Sequence, residues 1–95
     1  MVDTYDYVYG KTEHLTTPMM WERLTPRERQ VAKLICQKNG GRLITNPQIA
    51  SKLGISRETV KIHVRNILYK FDLHSKYELR QTLVGWDFIQ YEGLD

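Results

Sequence analysis

The sequence predicts an all-α domain of four helices behind an irregular N-terminal extension, and three observations carry that prediction. Ser/Thr-x-x-Glu/Gln boxes stand at Thr25–Glu28, Thr45–Gln48 and Ser75–Glu78. Each marks a helix start, because the two side chains satisfy first-turn N–H groups that would otherwise lack acceptors. The apolar residues that follow recur three and four positions apart, the period of a helix packed on one face. Lastly, a short helical stretch stops at Gly54 and a longer one restarts at Ser56, the spacing of a helix-turn-helix.

Residues 1–23 read as an arm. Tyr5, Tyr7 and Tyr9 alternate with Asp6 and Val8 in a strand-like period of two that Gly10 ends. Lys11 to Pro18 reads as loop, and Met19, Met20 and Trp21 are expected to lie as an apolar patch against the domain. The domain itself is expected over residues 24–90, with a tail at 91–95. Its first helix starts where three signals coincide: Thr25 as N-cap, Pro26 in the first turn where a missing N–H costs nothing, and Glu28 closing the box. Val31, Leu34 and Ile35 form its inward stripe, and Lys38 before Asn39-Gly40-Gly41 suits its end. Ile49, Ala50 and Leu53 supply the buried side of a two-turn second helix, and Gly54 allows the left-handed turn. Ser56 caps the third helix, ended by Asp72 and Leu73; the fourth runs over roughly Lys76 to Asp87.

Composition bounds the possibilities. At 95 residues, 41% apolar and 26% charged, the chain suits one ordinary globular domain. No apolar run approaches a membrane span, and the acidic start lacks the form of a secretory signal, so cytoplasm is expected. Cys36, the only cysteine, excludes an internal disulfide and multi-cysteine zinc sites, and reads as a half-buried, inert thiol. His14, His63 and His74 share no ligand spacing, so neither metal nor cofactor is expected. No nucleophile with a base beside it and no phosphate-cradling glycine motif stands out, which argues against an enzyme.

Charge is distributed unevenly. Residues 1–24 hold two basic and four acidic side chains, residues 25–71 ten and two, and residues 72–95 two and five. The middle segment alone, at +8, has the electrostatics of a polyanion binder.

On a wheel of about 100° per residue, Val60, Val64, Ile67, Leu68 and Phe71 of the third helix share one arc, its core face. The opposite side carries Arg57, Lys61 and Arg65, with Ile62 pointing most directly away from the apolar arc. Cations there suit phosphates and guanines, and an exposed aliphatic group suits a thymine methyl in a DNA major groove.

Leu24-Thr25-Pro26-Arg27-Glu28-Arg29, Asn46 through Ser56, and Thr59-Val60-Lys61-Ile62-His63-Val64-Arg65-Asn66-Ile67-Leu68-Tyr69-Lys70-Phe71 closely resemble the LuxR/GerE-type DNA-binding domain over about residues 24–88. The turn motif alone occurs in many helix-turn-helix proteins; Thr-Val-Lys-x-His followed by Ile-Leu-x-Lys-Phe is far more specific. The resemblance implies a four-helix operator-binding domain, usually a two-fold dimer joined through its fourth helix. It implies base contacts from Lys61, Ile62 and Arg65, and approach to the DNA backbone by Ser56, Thr59, Asn66 and Lys70, with Arg57 beside them. Two departures stand out. Residues 37–44 lengthen the loop between the first two helices, read as a tolerated insertion with phosphate contacts from Lys38 and Arg42 as the alternative. No sensing domain is expected ahead of a domain that some twenty residues precede.

The fourth helix has two apolar sides, one of Leu79, Leu83 and Trp86, the other of Tyr77, Val84 and Phe88. The second is expected to form a homodimer interface, the alternative being cover by the arm or the tail. The expected function is sequence-specific transcriptional regulation on double-stranded DNA. The runner-up is a protein-interaction module that contacts RNA polymerase or a sigma factor, since sigma-factor region 4 shares the helix-turn-helix pattern.

Overall fold

The computed structural model describes residues 17–37 and 42–83. Within them lie five helices and no strand: α1 (Thr17–Glu22), α2 (Pro26–Cys36), α3 (Asn46–Leu53), α4 (Arg57–Phe71) and α5 (Lys76–Leu83). The all-α expectation holds. The strand-like reading of Tyr5 to Tyr9 lies outside the described residues, as do Val84, Trp86 and Phe88.

The helix starts follow their sequence signals closely. Thr25 accepts the Glu28 N–H at 3.1 Å and the Glu28 carboxylate accepts the Thr25 N–H at 2.9 Å, a complete box. Thr45 and Gln48 repeat the arrangement at 3.2 and 2.9 Å. The third box closes differently. Ser75 Oγ accepts the Glu78 N–H at 3.1 Å, but the Glu78 carboxylate reaches one residue further back, to the His74 N–H at 2.6 Å. Gly54 ends α3 at φ 68°, ψ 35°, and Asp72 ends α4 at φ 57°, ψ 46°. Aspartate is among the few non-glycine residues that tolerate this left-handed geometry. It lets the Leu73 N–H bond back to the Leu68 carbonyl at 2.8 Å, using an acceptor the helix leaves free.

α4 is the spine. α2 and α3 both pack on it, and α5 packs on α2 and α4. Val31, Ile35, Ile49, Val60, Ile67 and Leu79 are fully enclosed, Phe71 and Leu83 nearly so. Leu34, Leu53 and Leu68 are only half-buried against this core.

Three features differ from the sequence reading. The first is α1. Residues 17–22, read there as arm, form a helix whose Met20 and Trp21 are buried, Trp21 to 1% exposure. The second is Arg29, a buried cation in a helix whose inward stripe was expected to be aliphatic. Its Nε donates to the Trp21 carbonyl and its Nη2 to the Glu22 carbonyl, both at 3.2 Å, satisfying the acceptors that α1 leaves at its C-terminus. The third is the loop after α2, which ends at Cys36 with Gln37 as its cap, short of the expected Lys38. Ile44 sits in the core. Lys76 Nζ donates to the Ile44 carbonyl at 2.9 Å and to Asn46 Oδ1 at 3.1 Å, so α5 holds the end of the loop against α3. Burial lowers the Lys76 pKa below the usual lysine range.

Cys36 is half-buried, and desolvation raises its thiol pKa to about 12 against an ordinary 9.0, with Arg80 opposing the shift. The thiolate is the reactive species. At pH 8 the folded protein therefore holds roughly a thousandfold less thiolate than the unfolded chain, the ratio set by those two values. Alkylation of Cys36 by iodoacetamide, followed by mass spectrometry, is expected to be very slow in buffer and rapid in 6 M-range (about) guanidinium; equal rates would contradict the burial. A raised folded value means this group's stabilising contribution is complete below about pH 9 and declines as pH rises toward 12.

Candidate nucleic-acid interface

Three residues, Gly54, Ile55 and Ser56, join α3 to α4. Half-buried Ile55 packs against the core, and its N–H bonds to the Ala50 carbonyl at 3.1 Å. This tight turn fixes the direction in which α4 leaves. Ser56 then caps it, accepting the Thr59 N–H at 3.0 Å and sharing a 2.8 Å hydrogen bond with Thr59 Oγ1.

The burial of Val60, Val64, Ile67 and Phe71 turns the other side of α4 to solvent. Arg57, Lys61 and Arg65 are all exposed, and Ile62 is 46% exposed between them. None of the three cations forms a hydrogen bond or ion pair among the described residues. That combination runs against simple surface design. An exposed isoleucine gains nothing in water, and three cations along one flank, with Glu58 the one carboxylate in the first turn of α4, leave an excess of positive charge there. Thr59 and Asn66 are half-buried at the edges of the flank.

Lys70 stands apart from the other α4 cations. Its Nζ lies 2.8 Å from Glu28 Oε1 and donates to the Arg23 carbonyl at 3.2 Å. Glu28 is 5% exposed at its side chain, so one carboxylate both closes the α2 capping box and anchors the last turn of α4. The 42 positions between them left no sequence signal for this pairing. Removing the ammonium leaves a buried carboxylate short of a partner. Lys70→Met is expected to cost about 1.5–3 kcal/mol, since Lys70 itself is partly solvated. The double variant Lys70→Met/Glu28→Gln, which keeps an acceptor for the Thr25 N–H, is expected to recover part of the loss in urea unfolding. A neutral single variant would show the pair to be incidental.

Comparison with known proteins bears on this arrangement directly. The family model described as "Bacterial regulatory proteins, luxR family" matches residues 22–83, which include α2 through α5 and the whole outward flank of α4. The chain belongs to the luxR family. Among individual luxR-family relatives, the nitrate/nitrite response regulator protein NarL of Escherichia coli K12 is 40% identical over 68 residues, 72% of this chain and 29% of that protein. The transcriptional regulatory protein UhpA of Escherichia coli K12 is 38% identical over 64 residues, 66% of this chain and 30% of that protein. An uncharacterized response regulatory protein of the same strain, YgeK, is 35% identical over 82 residues, 80% of this chain and 52% of that protein. The chain thus spans from under a third to about half of the length of these luxR-family proteins. No solved structure is a significant match.

Of the dimer residues expected from sequence, Tyr77 lies on α5 and is 58% exposed, while Val84 and Phe88 lie outside the described residues. Among the described residues no group of three or more His, Cys, Asp or Glu side chains is placed to hold a metal ion, and no helix is long and apolar enough to cross a membrane.

Proposed function

We propose that this domain binds double-stranded DNA sequence-specifically as a transcriptional regulator, with α4 lying in the major groove. One observation carries the reading: Arg57, Lys61 and Arg65 stand exposed and unpaired among the described residues around an exposed Ile62, on the solvent flank of the second helix of a helix-turn-helix. In water this flank is unfavourable; against duplex DNA every member has a partner. The ammonium and guanidinium groups meet phosphates or guanine O6 and N7, and the isoleucine meets a thymine methyl.

Lys61, Ile62 and Arg65 are proposed as the base-reading residues. Arg57 and Asn66 approach the backbone. Ser56 and Thr59 present the first turn of α4, the positive end of its helix dipole, toward a phosphate. Lys70, bound to Glu28 and the Arg23 carbonyl, acts in this reading by holding the end of α4 in place rather than by neutralising phosphate. Its loss is therefore read in stability before affinity, in place of the approach to the DNA backbone that the family resemblance implies for Lys70.

Two domains bound to a two-fold site through α5, with Tyr77, Val84 and Phe88 in the interface, are the proposed functional assembly. Exposed Tyr77 supports it. A regulator whose affinity comes from phosphate contacts loses binding steeply with salt. Selection of bound duplexes from random DNA, followed by affinity measurement across salt concentrations, tests both points. The expected slope of log affinity against log salt is about −3 per domain or steeper, from three or more neutralised phosphates, with selected sites showing two-fold symmetry. No enrichment of any sequence, together with binding to RNA polymerase in the absence of DNA, would instead favour the protein-interaction module.

A further inference from the structure

The outward side of α4 continues past its proposed base-reading residues into a groove of about 760 Å³. Ile62 and Arg65 line its near part; Leu68, Tyr69, Leu73 and His74 line the part beyond. Tyr69 is 74% exposed, the most exposed of the large apolar side chains among the described residues. Phosphate and base recognition by Lys61, Ile62 and Arg65 gives no use to this apolar extension, and a cleft of that size with an aromatic wall is of the kind that takes up a chain segment.

We propose that residues 1–16 of this same chain dock in the groove and compete there with DNA. The inference rests on the DNA reading for its competitive half only. Three features favour this occupant. Residues 1–16 carry Asp3, Asp6 and Glu13 against a single cation, Lys11, complementary to Lys61 and Arg65 on the rim, where Glu58 and Asp72 also stand. Tyr5, Tyr7 and Tyr9 alternate in the sequence, so in an extended segment their rings share one side over about 13 Å, against about 10 Å from Ile62 to Tyr69 along a helix. Ring faces suit Ile62, Leu68 and Leu73, and phenol hydroxyls suit the Glu58 and Asp72 carboxylates. The third feature is reach. Residue 16 adjoins α1, and the residue after α1, Arg23, is bonded through its carbonyl to Lys70, next to Tyr69 in sequence. Sixteen extended residues span about 50 Å, twice the roughly 22 Å length of α4.

The test uses the full ¹⁵N-labelled chain with a nitroxide on Thr4→Cys, which keeps all three tyrosines; half-buried Cys36, its thiol pKa raised by desolvation, stays unmodified. Paramagnetic broadening is expected at the amides of Ile62, Arg65, Tyr69 and Leu73, and is expected to be relieved by saturating duplex. Broadening elsewhere only, or unrelieved by duplex that shifts the α4 amides, would overturn the proposal. So would broadening that persists when the nitroxide and the ¹⁵N label are on different copies in a mixture, which points to a second copy, or broadening only from a label at Tyr91→Cys, which points to the C-terminal residues. Tyr5→Ser/Tyr7→Ser/Tyr9→Ser, which leaves every charge in place, is expected to tighten duplex binding about threefold or more, as docking for two-thirds of the time requires; unchanged affinity would overturn the competition. If no duplex shifts any amide, the DNA reading falls and the competition with it, while the broadening in the free protein still decides the docking.

Discussion

Lys61→Ala and Arg65→Ala are each expected to weaken binding to a selected operator by about 1–3 kcal/mol while leaving binding to random duplex within about a factor of three, the behaviour of bidentate base contacts. Combined, the two are expected to bring the specificity ratio close to one. The structure gives these substitutions an unusually clean interpretation. Both side chains are exposed and make no hydrogen bond or ion pair among the described residues, so their removal leaves no buried group unsatisfied, and unfolding free energy is expected to stay within about 0.5 kcal/mol. Affinity and stability thus separate. Competition binding with selected and scrambled duplexes, paired with urea unfolding, reads the two together. An equal loss on both duplexes would reassign the residues to the phosphate backbone.

Trp21→Ala is expected to destabilise the domain by about 3–5 kcal/mol, the range for deleting a large enclosed aromatic. For a domain of this size that is a large part of the whole, of order 5–10 kcal/mol. The expectation follows from placing Trp21 in the core at 1% exposure, with its carbonyl accepting from the Arg29 guanidinium. Loss of the indole opens a cavity in the buried cluster that also holds Leu24 and Val31 and loosens the carbonyl that Arg29 needs. Had residues 17–22 been an arm merely resting on the domain, the cost would be below about 1 kcal/mol. Urea unfolding monitored by far-UV circular dichroism distinguishes the two, and the midpoint of Met19→Ala, at 46% exposure, gives the small-effect comparison.

How far the sequence reveals this fold depends on whether the determining interactions are local. Thr25, Thr45 and Ser56 cap helices through bonds to residues three positions away, so their patterns are visible in any short window. The core face of α4 follows from period alone. By contrast α1, six residues long, is too short for a helical period to show, and a helix of that length is held by packing and by distant side chains rather than by propensity. Pro18 in its first turn was the one local sign. The Arg29 bonds that tie α1 to α2, and the Lys70 bonds that tie α4 to Arg23 and Glu28, join residues 7 to 47 positions apart, and no pattern marks such pairings. The same limit applies to the interface. The outward cations and Ile62 were legible because exposure follows from the wheel; the internal duty of Lys70 was not, since a lysine on a helix edge looks alike whether it faces phosphate or a buried carboxylate.

The direction in which α4 faces decides which surface meets DNA. A crystal structure of the full chain on a duplex selected from random DNA tests it most directly. The expected result is α4 in the major groove, with Lys61 and Arg65 within hydrogen-bonding distance of base edges and Ile62 against a thymine methyl. A complex in which this flank of α4 faces solvent while another surface carries the DNA would contradict it.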